Sequence, residues 1–268
     1  MTKPPQYQMF YGDASNMKTI RTAEVDLIMT GPPYFSEATE KILKKPVSEQ
    51  NEIERVRSEL TAFAMSLRPV YVEMDRILKP DGVIVLQIKD IRYGRALIGC
   101  SELHRQMLES IGFNLITRMY WHKKGKRLPA LRFRDKPVVG AFRADDVEDV
   151  MVFARTDIPV LKNVRVDLSK AEIDKCWRSP LWDMAPAGTK RKHPHQSPDT
   201  LIKRIVALYS REGDLVVDPF AGGGTTLKIA VAMGRQAIGY EIKENYVKTA
   251  DQVARSSLSA VKRKPEDG

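Results

Sequence analysis

Cysteine and histidine are scarce in this 268-residue chain, with two of the first (Cys100 and Cys176) and four of the second. The two cysteines stand far apart in unrelated contexts, which excludes a disulfide framework, and with so few histidines no zinc-ligand spacing is met. No apolar run approaches the roughly 18 residues a membrane span needs, and no basic-then-apolar leader opens the sequence. A reducing, cytoplasmic setting is therefore expected. Internal repeats and low-complexity runs are absent too. The chain does have enough apolar residues, 43%, to bury one sizeable core, or a core with one small inserted lobe.

The formal net charge is +10, and its distribution says more than its total. Between Arg118 and Arg143 stand nine cations (Arg118, Lys123, Lys124, Lys126, Arg127, Arg132, Arg134, Lys136 and Arg143) against one acid, Asp135, or +8 in one stretch. Such a concentration is the footprint of a polyanion binder. A charge run by itself more often marks a solvated surface, so the motifs must decide.

Short apolar segments rich in β-branched residues alternate with helical patterns, the signature of a parallel sheet flanked by helices. Strands are predicted at Tyr7–Tyr11, Val25–Thr30, Val83–Ile88, Phe113–Trp121, Val147–Phe153, Leu215–Val217 and Gln236–Tyr240. Helices are predicted at Ser58–Leu78, closed by a Lys79-Pro80-Asp81-Gly82 turn, and at Cys100–Ser110, Pro198–Ser210, Thr225–Met233 and Glu244–Leu258. The basic stretch reads as an insertion between two antiparallel strands. The organisation expected is a catalytic part at 1–122, a basic insert at 123–146, a return strand and irregular crossover at 147–192, and a cofactor-binding part of the same domain at 193–268.

Leu215 to Thr226 reads LVVDPFAGGGTT, a strand running through glycines into a helix. Glycines let a backbone turn sharply and approach a ligand closely, and the helix N-terminus then offers free N–H groups to a carboxylate. Glu241 follows Asp218 by 23 residues at the end of the next strand, where an acid can take both hydroxyls of a ribose. The G-K-[ST] ending of a P-loop is missing, and G-x-G-x-x-G is not met. Loop, spacing and acid agree on a nucleoside with a carboxylate, as in S-adenosyl-L-methionine.

Nearly two hundred residues upstream, Val25 to Phe35 reads VDLIMTGPPYF, an apolar strand entering a loop stiffened by two prolines. PP-aromatic motif first, basic segment next and glycine loop last is an order that resembles the permuted β-group of S-adenosylmethionine-dependent amino-DNA methyltransferases, over about 25–155 and 193–255. The fold this resemblance implies is α/β: a seven-stranded Rossmann-like methyltransferase sheet with circularly permuted motif order and a small basic target-recognition insert. It implies site-specific methylation of the exocyclic amine of a flipped base in double-stranded DNA, and allows a homodimer and a cognate restriction endonuclease as partners.

The catalytic set implied is Thr30, Gly31, Pro32, Pro33 and Tyr34. The cofactor set is Asp13, Gln196, Pro198, Asp218, Phe220, Gly222, Gly224, Thr225, Thr226 and Glu241, although Asp13 could equally be a solvated turn residue. The DNA set is Lys123, Lys124, Lys126, Arg127, Arg132, Arg134, Lys136 and Arg143. An aromatic amine has a delocalised lone pair, so attack on a methyl group needs acceptors aimed at its N–H groups. The family places Asp, Asn or Ser where this chain has Gly31, which leaves the Pro32 carbonyl and the Tyr34 ring. Thr30, Ser36, water or the Gly31 carbonyl could substitute. No Pro-Cys pair offers the thiolate that carbon-5 cytosine chemistry requires. Thr30 before the motif resembles the cytosine-N4 form, whereas Lys192-His193-Pro194-His195-Gln196-Ser197-Pro198 resembles an HPxQxP form of adenine-N6 enzymes, and adenine is favoured narrowly. A noncatalytic DNA-binding protein on the same scaffold would also account for Gly31.

Overall fold

A computed structural model describes residues 6–35, 40–41, 50–93, 96–123, 147–155, 179–188 and 196–262. The strands of its main sheet are β1 (Tyr7–Tyr11), β2 (Val25–Thr30), β3 (Leu78–Ile88), β6 (Asn114–Lys123), β7 (Val147–Ala154), β8 (Leu181–Met184), β9 (Leu215–Asp218) and β10 (Gln236–Glu241). They lie in the order β1-β10-β9-β2-β3-β7-β6-β8. Pairing is parallel from β1 to β3 and antiparallel at β3–β7 and β7–β6, and β8 adds to the far edge parallel to β6. The seven expected strands are all present, and β8 is an eighth. A separate hairpin joins β4 (Ile91–Tyr93) to β5 (Ala96–Ile98).

Strand alternation explains the layers. In β2 and β3, Ile28, Ile84 and Leu86 point to one face, where they meet Val56 and Leu60 of α1 (Gln50–Ser66), Tyr71 and Met74 of α2 (Arg68–Ile77) and Leu108 of α3 (Cys100–Ile111). Leu27, Met29, Val83 and Val85 point to the other, against Leu201 and Ile205 of α4 (Asp199–Tyr209), Leu227 of α5 (Thr225–Ala232) and Ala254 of α6 (Glu244–Lys262). With both faces covered, the central strands are apolar almost throughout. Each large side chain so buried contributes about 1.5–3 kcal/mol.

The helix expected over Ser58–Leu78 is two helices. The break falls at Leu67, because Pro69 sits in the first turn of α2 and has no N–H to continue α1. The expected Lys79–Gly82 turn belongs instead to the start of β3, taken up by a register shift between Val25–Leu78 and Leu27–Val83. Among the described residues, no helix is long and apolar enough to cross a membrane.

Candidate active site

β2, β9 and β10 are parallel neighbours, so their carboxyl ends open on one side of the sheet, the usual place for a ligand in this architecture. There a cavity of about 640 Å³ is walled by both loops singled out in the sequence, Gly31–Phe35 and Asp218–Gly223 with the start of α5. Phe63 of α1, Val70 of α2 and Leu67 between them also line it, as do Glu241, Lys243 and Tyr246.

The glycine loop is held from below. Asp218 is buried, and its carboxylate accepts hydrogen bonds from the Thr30 hydroxyl at 2.6 Å and the Phe220 N–H at 3.1 Å. Desolvation pushes that carboxyl up to about 6, against the opposing pull of the hydrogen bonds from Thr30, Thr226 and Phe220. Thr30 is fully buried, so its hydroxyl supports the loop from within the sheet and does not reach the cavity wall. Gly222 and Gly224 both have left-handed backbones, with φ of 50° and 79°. At Gly224 a Cβ would also lie 2.7 Å from Ala250, so this glycine lets α6 pack against the loop, and it does not line the cavity. Among the described residues no side chain caps α5, leaving its first turn of N–H groups for a ligand.

Glu241 ends β10 with its carboxylate already oriented. The Gly222 N–H donates to Oε2 at 3.1 Å and the Lys243 N–H to Oε1 at 2.8 Å. Asp13 also reaches the cavity, while its Oδ1 accepts from the Ser15 N–H at 2.8 Å in a local turn. The two placements the sequence allowed for it, turn and cavity wall, are thus compatible.

In the loop that follows β2, Pro32 is buried and Tyr34 half-buried, with the Lys89 ammonium 5.7 Å from the Tyr34 ring centroid. Burial raises the Tyr34 phenol well above its usual range, so it stays neutral at physiological pH. Gly31 is exposed, and its backbone lies outside the left-handed region. Among the described residues, a Cβ there would meet only the Gln87 carbonyl oxygen, at 3.4 Å, an ordinary contact. Nothing in the backbone demands glycine at this position. Ser36, His193 and His195 lie outside the described residues.

Of the expected site residues, Asp13, Gly31, Pro32, Pro33, Tyr34, Gln196, Asp218, Phe220, Gly222, Thr225, Thr226 and Glu241 all line this cavity. Thr30 and Gly224 stand behind it, and Pro198 opens onto a neighbouring surface groove with Asp199 and Arg204. Lys123 is a correction to the DNA set. Its side chain is buried at the end of β6 in a 2.6 Å ion pair with Glu148, which withdraws it from phosphate. Lys124, Lys126, Arg127, Arg132, Arg134, Lys136 and Arg143 lie outside the described residues. The cavity also has polar lining residues outside the expected set, among them Gln87 and Ser197. Gln87 was detectable as the lone polar residue in Val83–Ile88, VIVLQI.

A family described as DNA methylase, the N6/N4 methyltransferases, matches residues 25–252. Type II methyltransferase M.MjaI of Methanocaldococcus jannaschii is 28% identical over 89% of this chain and 88% of its own. DNA adenine methyltransferase YhdJ of Escherichia coli is 27% identical over 90% of this chain and 80% of its own. Among solved structures, TTHA0409 of Thermus thermophilus complexed with S-adenosyl-L-methionine superposes with a TM-score of 0.70 at 25% identity, covering 94% of this chain and 96% of that one.

Proposed function

The chain belongs to the N6/N4 DNA methylase family, and on that premise we propose that it methylates the N6 amine of a specific adenine flipped out of double-stranded DNA. One observation carries the reading: the glycine loop and the Pro-Pro-Tyr loop wall the same cavity, so a methyl donor and a base would share one chamber. The cofactor is S-adenosyl-L-methionine, which supplies an electrophilic methyl group on a sulfonium. The residues fit it in kind. Free N–H groups at α5 suit its carboxylate, the oriented Glu241 carboxylate suits its ribose, and the left-handed Gly222 keeps the loop open to it.

In this proposal Tyr34 stacks on the flipped base and the Pro32 carbonyl accepts from its amine, holding the nitrogen lone pair toward the methyl carbon. The N–C bond forms as the S–C bond breaks, and the nitrogen then gives one proton to solvent. Adenine is supported by Gln196 and Ser197 of the HPxQxP stretch at the cavity and by the 27% identity to an adenine enzyme. Cytosine-N4 is the alternative, favoured by the Thr30-Gly31 pair. The basic insert, without Lys123, is the proposed phosphate contact. A homodimer and a cognate endonuclease remain partners proposed from the family, as does a cytoplasmic setting, and the four-part organisation is retained with the foot of the insert at Lys123–Val147.

Expression in a methylation-deficient host should leave N6-methyladenine at one sequence context in the genomic DNA, read by nucleoside mass spectrometry and modification-aware sequencing. N4-methylcytosine would move the assignment to the alternative, and an unmodified genome would favour a noncatalytic binder.

Asp218 adds a pH dependence. Burial pushes its carboxyl up to about 6, and protonation there would remove a negative charge from a cavity proposed to take a cationic cofactor. Cofactor affinity should therefore fall about tenfold from about pH 7 to about pH 5. Calorimetric titration checks this, with Asp218→Asn expected to bind weakly and without the step; a flat wild-type profile would count against it. Stability of the free protein runs the other way. A carboxyl raised on folding favours the folded state below its unfolded value, and that contribution, ~3 kcal/mol at most, is lost as pH rises through about 6.

A further inference from the structure

Gly31 leaves the target amine one side-chain acceptor short, and the surrounding atoms show where a replacement stands. The missing side chain would root beside β3, since among the described residues, apart from Gly31 and its chain neighbours Thr30 and Pro32, the Gln87 carbonyl oxygen is the one atom within 4 Å of a Cβ built at Gly31. Gln87 itself is 3% exposed, in a strand otherwise apolar from Val83 to Ile88, and it lines the cavity with Gly31 and Tyr34.

Its amide is held in one orientation. Nε2 donates to Glu148 Oε2 at 2.6 Å, and the other oxygen of Glu148 pairs with the Lys123 ammonium at 2.6 Å. A carboxylate engaged with an ammonium only accepts, so it must face the NH₂ end of the amide. The carbonyl end, Oε1, is thereby turned toward Ser197, whose hydroxyl donates to it at 2.7 Å. An amide oxygen has two lone pairs, and Ser197 uses one. Lys123 and Glu148, at the foot of the basic insert, thus fix the direction of a cavity acceptor.

We propose that Gln87 supplies, through Oε1, the side-chain hydrogen-bond acceptor for the target amine that Gly31 does not provide. The inference rests on the amine-methylation reading above. Gln87 makes no bond to the methyl group and takes no proton. It accepts one amine N–H while the Pro32 carbonyl accepts the other, stabilising the positive charge that builds on nitrogen as the N–C bond forms and the S–C bond breaks, and the proton leaves afterwards to solvent.

The test compares steady-state methyl transfer to duplex DNA by wild type, Gln87→Met, Gly31→Asn and the double variant, with cofactor binding and thermal melting as controls. Gln87→Met should lower kcat about a hundredfold, by analogy with deleting one oxyanion-hole donor, and leave the DNA KM and cofactor affinity within about threefold. Gly31→Asn in the same chain should recover at least about tenfold of that loss, because the new amide stands where the family keeps its acceptor and the backbone accommodates it. Turnover of Gln87→Met within about threefold of wild type would overturn the proposal, as would a loss confined to KM or one that Gly31→Asn does not recover. If Gln87→Met does not fold, Glu148→Gln replaces it. That change frees the Gln87 amide to flip and should lower kcat recoverably, whereas unchanged kcat would overturn the proposal. A folded wild-type enzyme that transfers no methyl to DNA would instead overturn the reading on which the proposal rests.

Discussion

Tyr34→Ala should abolish methyl transfer while leaving S-adenosylmethionine binding nearly intact. The ring forms part of the wall of the cavity that the glycine loop also lines, and its loop is anchored by the buried Pro32. Stacking of a base on an aromatic ring is worth about 1–3 kcal/mol, and misplacing a reacting group by an ångström can cost roughly a further hundredfold. A fall in turnover of at least about a thousandfold is expected, with cofactor affinity changed less than about threefold. Tyr34→Phe should keep most of the activity, because burial already holds the phenol neutral and the stack needs only the ring. Because Tyr34 also packs against the core, thermal melting must accompany the assay. Normal turnover in Tyr34→Ala would remove the base-clamp assignment, and a matching loss of cofactor affinity would mean that the ring shapes the cavity as a whole.

The two loops of this site were legible in the sequence for a local reason. A β-branched strand that stops at a proline or glycine cluster announces both its end and the turn that follows, and β1 and β2 fall on their predicted residues, with the ends of β9 and β10 within one residue. What was not legible depends on partners distant in sequence. β8 is four residues, LWDM, and is a strand because β6 lies beside it. Gly224 and Gly222 look alike in GGG, yet one faces the cavity and the other Ala250, a difference set by α6 twenty-six residues on. Lys123 reads as the first cation of a basic run, and only the return of β7 shows that Glu148 has claimed it. The same return reveals Gln87 as part of the site, since Glu148 orients it. Charge counted along a chain thus overestimates what reaches a ligand, because it omits the partners that folding supplies.

Glu241→Ala should be the largest single loss of cofactor affinity. Glu241 is half-exposed at the end of its strand and works by geometry. Its two oxygens are each pinned by a backbone N–H, from Gly222 on the glycine loop and Lys243 at the entry to α6, so the carboxylate links two segments that line the cavity. Truncation removes the acceptor for a ribose diol and at the same time releases the Gly222 N–H. Hydrogen bonds to a charged group are worth about 1.5–3 kcal/mol each, so affinity should fall by roughly a hundredfold or more. Glu241→Gln retains one oxygen and one orientation, and should fall between the two. At saturating cofactor, kcat of Glu241→Ala should return to within about tenfold of wild type, because Tyr34 and the Pro32 carbonyl are untouched. Calorimetry together with cofactor-dependent initial rates separates the outcomes. Unchanged affinity would remove Glu241 from the cofactor site, whereas a kcat that stays low at saturation would show that the Glu241–Gly222 link also sets the alignment of methyl donor and base.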